Sequence, residues 1–263
     1  MTNPVDRDHS IDNLERALQD FVLGQNILIA LDFDGTLAPL VDDPEDSRML
    51  PRAAQALSRL TDMPGVTLAL VSGRAIDSLL RVANPRAEWF LVGSHGGEIV
   101  APGDHHSYRA QVLVPSKLDE AFEQVVQDHP GTRLERKAFG LALHTRGVES
   151  SMATQAQDSA RAACEAWHGQ LSIRVGHGIL ECSVLTATKA DGVLALQERT
   201  GAGATLFAGD DVTDEDAIAV LGTLDIGIWV GPGKSTARFR LPDAEAVSLM
   251  LESLATQRIN ARP

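Results

Sequence analysis

At 263 residues the chain is longer than a typical single domain and has room for one domain carrying a second. Hydrophobic residues make up 44% and charged residues 22%, an ordinary globular balance that excludes wholesale disorder. Lys and Arg number 23 against 36 Asp and Glu, and the net charge of −13 has the wrong sign for a nucleic-acid or anionic-membrane partner, so an anionic substrate must be met by local cations, a metal or backbone N–H groups.

Residues Met1 to Ser10 are polar and lack the apolar run of a signal peptide, and no stretch approaches the ~18 apolar residues of a membrane span, so the cytoplasm is the expected location. Residues 27–31 form a short apolar block, 50–62 read as a helix with Pro51 near its first turn, 66–71 form a second block, 75–83 a helix and 89–92 a third block. Strands apolar on both faces and separated by helices predict a parallel sheet covered on both sides. From about 115 the grammar changes to helix (115–128), strands (132–137, 139–145), helix (151–168) and strands (171–175, 178–184). That pattern predicts an inserted α+β layer over residues 106–185. The first grammar then returns, with a helix at 189–200, strand 204–208, helix 214–222, strand 225–230 and a closing helix from 243. The predicted fold class is therefore α/β, with a Rossmann-like core over 1–105 and 186–263 and an inserted α+β domain between. Cys164 and Cys182 are the only cysteines and have no C-x-x-C spacing, so two reduced thiols are expected, with no disulfide framework and no zinc site.

The chemistry is concentrated at strand ends. Asp32-Phe33-Asp34-Gly35-Thr36 directly follows block 27–31, at the edge where open α/β sheets bind ligands. A second acidic run, Gly209-Asp210-Asp211-Val212-Thr213-Asp214-Glu215-Asp216, follows strand 204–208 and opens a helix. A turn rich in Asp and Gly accounts for the first run alone, and Thr213 or Asp214 as a helix cap accounts for part of the second. Capping does not call for adjacent Asp210 and Asp211, and two acidic strand ends side by side repel without a cation. Oxygen-only ligands point to Mg²⁺. Ser72-Gly73-Arg74 after block 66–71 and Lys189 at a helix start are the candidate partners of a phosphate.

These ordered motifs resemble the haloacid dehalogenase superfamily. More narrowly, Leu31 to Leu37, Ser72-Gly73-Arg74, Gly93-Ser94-His95-Gly96-Gly97-Glu98 and Gly209 to Glu215 are similar to the trehalose-6-phosphate phosphatase family, with Ser94 standing where many members have an acid and Ala190 where many have glycine. The resemblance implies a monomeric Mg²⁺-dependent phosphatase acting on a small-molecule sugar phosphate. Its nucleophile would be Asp32 and its general acid and base Asp34, with Ser72 and Lys189 on the phosphate. It implies metal ligation by Asp32, Asp34 through its backbone carbonyl, Asp210, and Asp211 or Asp214. The insert would be a cap, and Gly73, Arg74, His95, Gly96, Glu135, Lys137, His144 and Glu181 would be substrate contacts. A phosphatase for another sugar phosphate (sucrose-, mannosyl- or glucosylglycerate-type), a hexose phosphomutase and a non-catalytic sugar-phosphate sensor are the competing readings.

Overall fold

The structure, a computed structural model, describes residues 4–108, 114–137, 139–167, 171–176, 178–184 and 187–261. The chain runs α1 (Pro4–Phe21), β1 (Ile27–Leu31), α2 (Pro51–Thr61), β2 (Val66–Val71), α3 (Ile76–Ala83), β3 (Phe90–Gly93) and β4 (Glu98–Val100). It continues through α4 (Ser116–Asp128), β5 (Arg133–Lys137), β6 (Gly140–His144), α5 (Ser150–Glu165), β7 (Ser172–Gly176) and β8 (Ile179–Ser183). It closes with α6 (Lys189–Thr200), β9 (Ala204–Gly209), α7 (Val212–Ala219), β10 (Ile226–Val230), β11 (Phe239–Leu241) and α8 (Ala244–Ala261). Two compact units result, one from Met1–Tyr108 with Ala187–Pro263, the other from Arg109–Thr186.

In the first unit β1 is buried along its whole length, so it needs cover on both sides, and the alternation of side chains assigns each residue to a layer. Ile27, Ile29 and Leu31 join a hydrophobic cluster with residues of α1, α2, α3 and α8, while Leu28 and Ala30 join a second cluster with Val193 and Leu196 of α6 and Ala217 and Ile218 of α7. The seven strands lie in the order β11-β10-β9-β1-β2-β3-β4, parallel throughout except that β4 runs antiparallel to β3. The chain builds outward from β1 through β2 and β3, then returns to add β9 and β10 on the other side. The order therefore reverses between β1 and β9, and Asp32 and Asp210 follow those two strands.

Helix α1, strand β4 and strand β11 go beyond the elements predicted from the sequence. β4 and β11 have three residues each, too few for a periodic signal. Helix α7 begins two residues earlier than predicted because its N-cap is Asp211, not Thr213 or Asp214: the Asp211 carboxylate accepts the Val212 N–H at 2.7 Å in a capping box with Asp214.

The second unit is a four-stranded antiparallel sheet in the order β5-β6-β8-β7. Leu141, Leu143, Leu180 and Cys182 cluster on one face with Leu118 and Phe122 of α4 and Ala156, Ala160 and Cys164 of α5. The side chains of the opposite parity form the other face.

Candidate active site

The parity of β1 continues past its end. Leu28 and Ala30 point to the layer of α6 and α7, so Asp32 leaves the strand toward that layer, whose first turns carry Lys189 and Asp214, while Phe33 turns back into the opposite cluster. Lys189 Nζ lies 2.9 Å from Asp32 Oδ1 and donates to Asp214 Oδ1 at 2.7 Å. Asp32 is 4% exposed, Lys189 3% and Asp214 0%. A capping box of Thr188 and Asp191 fixes Lys189 as the first residue of α6. The other Asp214 oxygen accepts the backbone N–H groups of Asp210 (3.1 Å) and Asp211 (2.9 Å), which ties the turn after β9 to the buried lysine.

Asp210 completes the cluster: Asp32, Asp210 and Asp214 each place a carboxylate oxygen within 4.8 Å of the others. Its carboxylate lies against Gly35, whose φ of +76° is in the left-handed region and where a Cβ would fall 2.1 Å from Asp210 Oδ2. Glycine is required there on both counts. Burial pushes the Asp32 carboxyl well above its usual range, with the charges of Asp214 and Asp210 adding and Lys189 opposing. Burial and then the charge of Asp214 push Asp210 up to about 6, and burial raises Asp214 against the pull of Lys189. Lys189 itself loses by burial but is raised by its two carboxylates.

Three crowded carboxylates against one ammonium leave an excess of negative charge, and their donors are all hard oxygens, which fits a divalent cation such as Mg²⁺. Asp214 already accepts three hydrogen bonds, so Asp32 and Asp210 are the freer donors. The Asp211 carboxylate lies outside this group, on its own helix cap. Thr36 Oγ1, beside Gly35, is buried, and none of the described protein groups bonds it.

Asp34 has a different environment. Arg74 grips its carboxylate through Nε to Oδ2 at 2.6 Å and Nη2 to Oδ1 at 2.8 Å, and Ser47 Oγ adds a bond to Oδ1 at 2.8 Å. Arg74 also donates to the Pro44 carbonyl at 2.7 Å and to Ser78 Oγ at 3.1 Å. Arg74, expected as a substrate contact, places its guanidinium on Asp34 and the Pro44 carbonyl in this structure. Ser72, 1% exposed, follows β2, and its hydroxyl accepts the Arg74 N–H at 3.2 Å. The His95 ring packs on Gly73, where a Cβ would meet Cε1 at 2.5 Å, and Gly96 packs on the Thr188 carbonyl.

In the second unit, Glu135, Lys137, His144 and Glu181 all share the parity of the helix-free face, and the register sets Glu135, Ala142, Glu181 and Arg174 in one row across the four strands. His144 Nε2 lies 2.7 Å from Glu135 Oε2, and Lys137 Nζ donates to Glu181 Oε1. Ser47 and Arg174 escaped the sequence reading. Ser47 sits in an unpatterned acidic loop, and Arg174 stands opposite Glu181 through the register of β7 and β8, a relationship the sequence does not display.

A family model described as trehalose-phosphatase matches residues 30–243, a span that contains every site residue above. The chain belongs to the trehalose-phosphatase family. It is 31% identical to the trehalose-phosphate phosphatase of Mycobacterium avium (90% of this chain, 64% of that protein) and 30% identical to that of Mycobacterium leprae (91% and 60%). It is also 32% identical to a Mycobacterium tuberculosis protein described as an uncharacterized glycosyl hydrolase (90% and 19%). The chain thus spans less than two thirds of the length of these relatives. In fold it is similar to a trehalose-6-phosphate phosphatase related protein (TM-score 0.67, 23% identity, 89% of this chain and 99% of that one). The C-terminal domain of Candida albicans trehalose-6-phosphate phosphatase gives TM-score 0.67 at 21% identity, covering 92% and 96%. A haloacid dehalogenase-like hydrolase from Bacteroides thetaiotaomicron gives TM-score 0.64 at 16% identity, covering 86% and 98%. Among the described residues of this trehalose-phosphatase family member no helix is long and apolar enough to cross a membrane.

Proposed function

We propose that this chain hydrolyses trehalose 6-phosphate to trehalose and phosphate, with Asp32 as a covalent nucleophile and Mg²⁺ as cofactor. The observation that carries the reading is the buried Asp32–Lys189–Asp214 cluster with Asp210 beside it, at the strand ends of a trehalose-phosphatase-family core. An Asp32 oxygen forms a bond to phosphorus as the bond from phosphorus to the sugar oxygen breaks, and Asp34 as the acid gives its proton to the departing oxygen. Asp34 then takes a proton from water, the water oxygen attacks phosphorus, and Asp32 leaves as a carboxylate with inorganic phosphate released. Ser72 and Lys189 meet the phosphate oxygens, and Lys189 remains paired with Asp214 throughout. Arg74 and Ser47 hold Asp34 in one orientation. Asp32 and Asp210, with the turn braced by Asp214, would hold Mg²⁺, which when bound neutralises charge on the phosphate.

The helix-free face of the insert, with Glu135, Lys137, His144 and Glu181, supplies paired donors and acceptors for sugar hydroxyls. We read the insert, within residues 106–185, as the specificity domain. One chain carries both residue sets, so it is the working unit, and its place is the cytoplasm. The test is phosphate release from a panel of sugar phosphates with Mg²⁺ and with EDTA. Trehalose 6-phosphate should be turned over fastest, and EDTA should abolish the reaction until Mg²⁺ is restored. Undiminished turnover without metal, or preference for another sugar phosphate, overturns the corresponding part.

A further inference from the structure

Glu98, the first residue of β4, is a buried carboxylate, 5% exposed, to which the mechanism above gives no task. It accepts hydrogen bonds from Ser94 Oγ and from the Tyr108 hydroxyl, and the Ile76 N–H reaches it at 3.4 Å. None of these partners is a cation, and burying a carboxylate on neutral donors is expensive compared with an apolar side chain of the same size. What the carboxylate holds is a strained turn. Ser94 (φ 49°) and His95 (φ 56°) are consecutive non-glycine residues in the left-handed region, where strain is kept only if the surroundings enforce it.

That turn touches both sides of the phosphate-handling machinery. The Ser94 N–H donates to the Arg74 carbonyl at 2.7 Å and the His95 N–H to the Ser72 carbonyl at 3.1 Å. Gly96 lies against the Thr188 carbonyl so closely that a Cβ would come within 2.1 Å of it, and Thr188 caps the helix that opens with Lys189. The turn is thus a spacer between Ser72 and Lys189. On its other side Glu98 is bonded to Tyr108, the last residue of the first unit before the chain passes into the second.

We propose that Glu98 is a positioning residue: through Ser94 it holds the turn that sets the spacing of Ser72 and Lys189, and through Tyr108 it ties that spacing to the point where the chain leaves the core. This rests on the phosphatase reading above.

The test is steady-state kinetics on p-nitrophenyl phosphate and trehalose 6-phosphate, with the inhibition constant of inorganic phosphate, for parental protein and the variants Glu98→Ala, Glu98→Gln, Ser94→Ala, Tyr108→Phe and the last two combined. Glu98→Ala should lower kcat at least about tenfold on both substrates alike and weaken phosphate inhibition, because the phosphate contacts are common to both. Glu98→Gln, which keeps an acceptor for the Ile76 N–H, should recover most of the loss. Ser94→Ala and Tyr108→Phe should each lower kcat, and the pair should lose less than the product of the single effects, because both act through one carboxylate. If Glu98→Ala fails to fold, this cycle decides the matter. A folded Glu98→Ala with kcat and phosphate inhibition within about twofold of parental, or fully independent single effects, overturns the inference while an active parental protein leaves the functional reading standing. A parental protein that releases no phosphate from either substrate overturns both.

Discussion

Arg74 holds both oxygens of Asp34, through Nε at 2.6 Å and Nη2 at 2.8 Å, from a loop forty residues further along the chain. The bidentate fork fixes the plane of the carboxylate, which a point charge does not do. Arg74→Lys should therefore lower kcat by roughly ten- to a hundredfold with KM for trehalose 6-phosphate changed by less than about threefold. A rise in KM at unchanged kcat would favour the direct substrate contact that the resemblance implies for Arg74.

Without metal, the acidic cluster opposes the fold. Burial, and after it Asp214, push Asp210 up to about 6. A carboxyl whose folded pKa exceeds its unfolded one holds its proton more tightly when folded. Its contribution is therefore full below about pH 4 and is lost as pH rises through about 6. In metal-free buffer Asp210→Asn should melt above the parental protein at pH 7.5, by about 1 kcal/mol after solvent screening or roughly 2–4 °C, and level with it at pH 4. Added Mg²⁺ should raise the melting temperature of the parental protein and leave the variant nearly unmoved. A variant that melts lower at pH 7.5 without metal would show that Asp210 is not under this repulsion.

Arg258 lies far from this chemistry, 1% exposed near the end of α8, and donates to the carbonyls of Val22, Gly24, Gln25 and Pro64. Those carbonyls belong to the loops that lead into β1 and β2, so one side chain fastens both central strands to the last helix. Arg258→Met strands several buried acceptors and should cost about 2–4 kcal/mol, read as a lower urea midpoint. The activity of the folded fraction should not change. A loss below about 0.5 kcal/mol would mean that the loops close without it.

Much of this arrangement is visible in the residues alone. Buried strands announce themselves as apolar runs, and Asp32 and Asp210 are conspicuous because a carboxylate pair after such a run has few structural uses. Helix α1 was also within reach, since Leu14, Leu18 and Phe21 recur at helical spacing and are buried. What the sequence does not disclose is partnership across long separations. The pattern around Arg74 says nothing about Asp34, and Glu98, the last residue of the Gly93–Glu98 motif, has no stated partner until the turn at Ser94 and His95 brings Ser94 onto it. The choice between Asp211 and Asp214 as metal ligand stays open in the sequence because one residue type serves as metal ligand and helix cap alike, and the geometry of α7 shows Asp211 in the cap and Asp214 in the cluster with Asp32 and Asp210.

Substrate choice offers the sharpest separation between the two units. Lys137 and Glu181 bond each other across the helix-free face of the second sheet, next to the Glu135–His144 pair, and neither contributes to the carboxylate cluster. If this face reads sugar hydroxyls, Lys137→Ala or Glu181→Ala removes a hydrogen bond and leaves its charged partner exposed to the ligand alone. The loss of one such bond to a buried ligand costs about 1–3 kcal/mol, and more where a charge is left unpaired. Turnover of trehalose 6-phosphate should then fall at least about tenfold in kcat/KM, while p-nitrophenyl phosphate, which has no sugar hydroxyl to lose, changes by less than about twofold. The double variant should lose less than the product of the two single losses, because each partner is already unpaired in the single variants. Equal losses on both substrates would mean that the pair supports the fold of the second unit, and no loss on either would make it an exposed surface pair worth little.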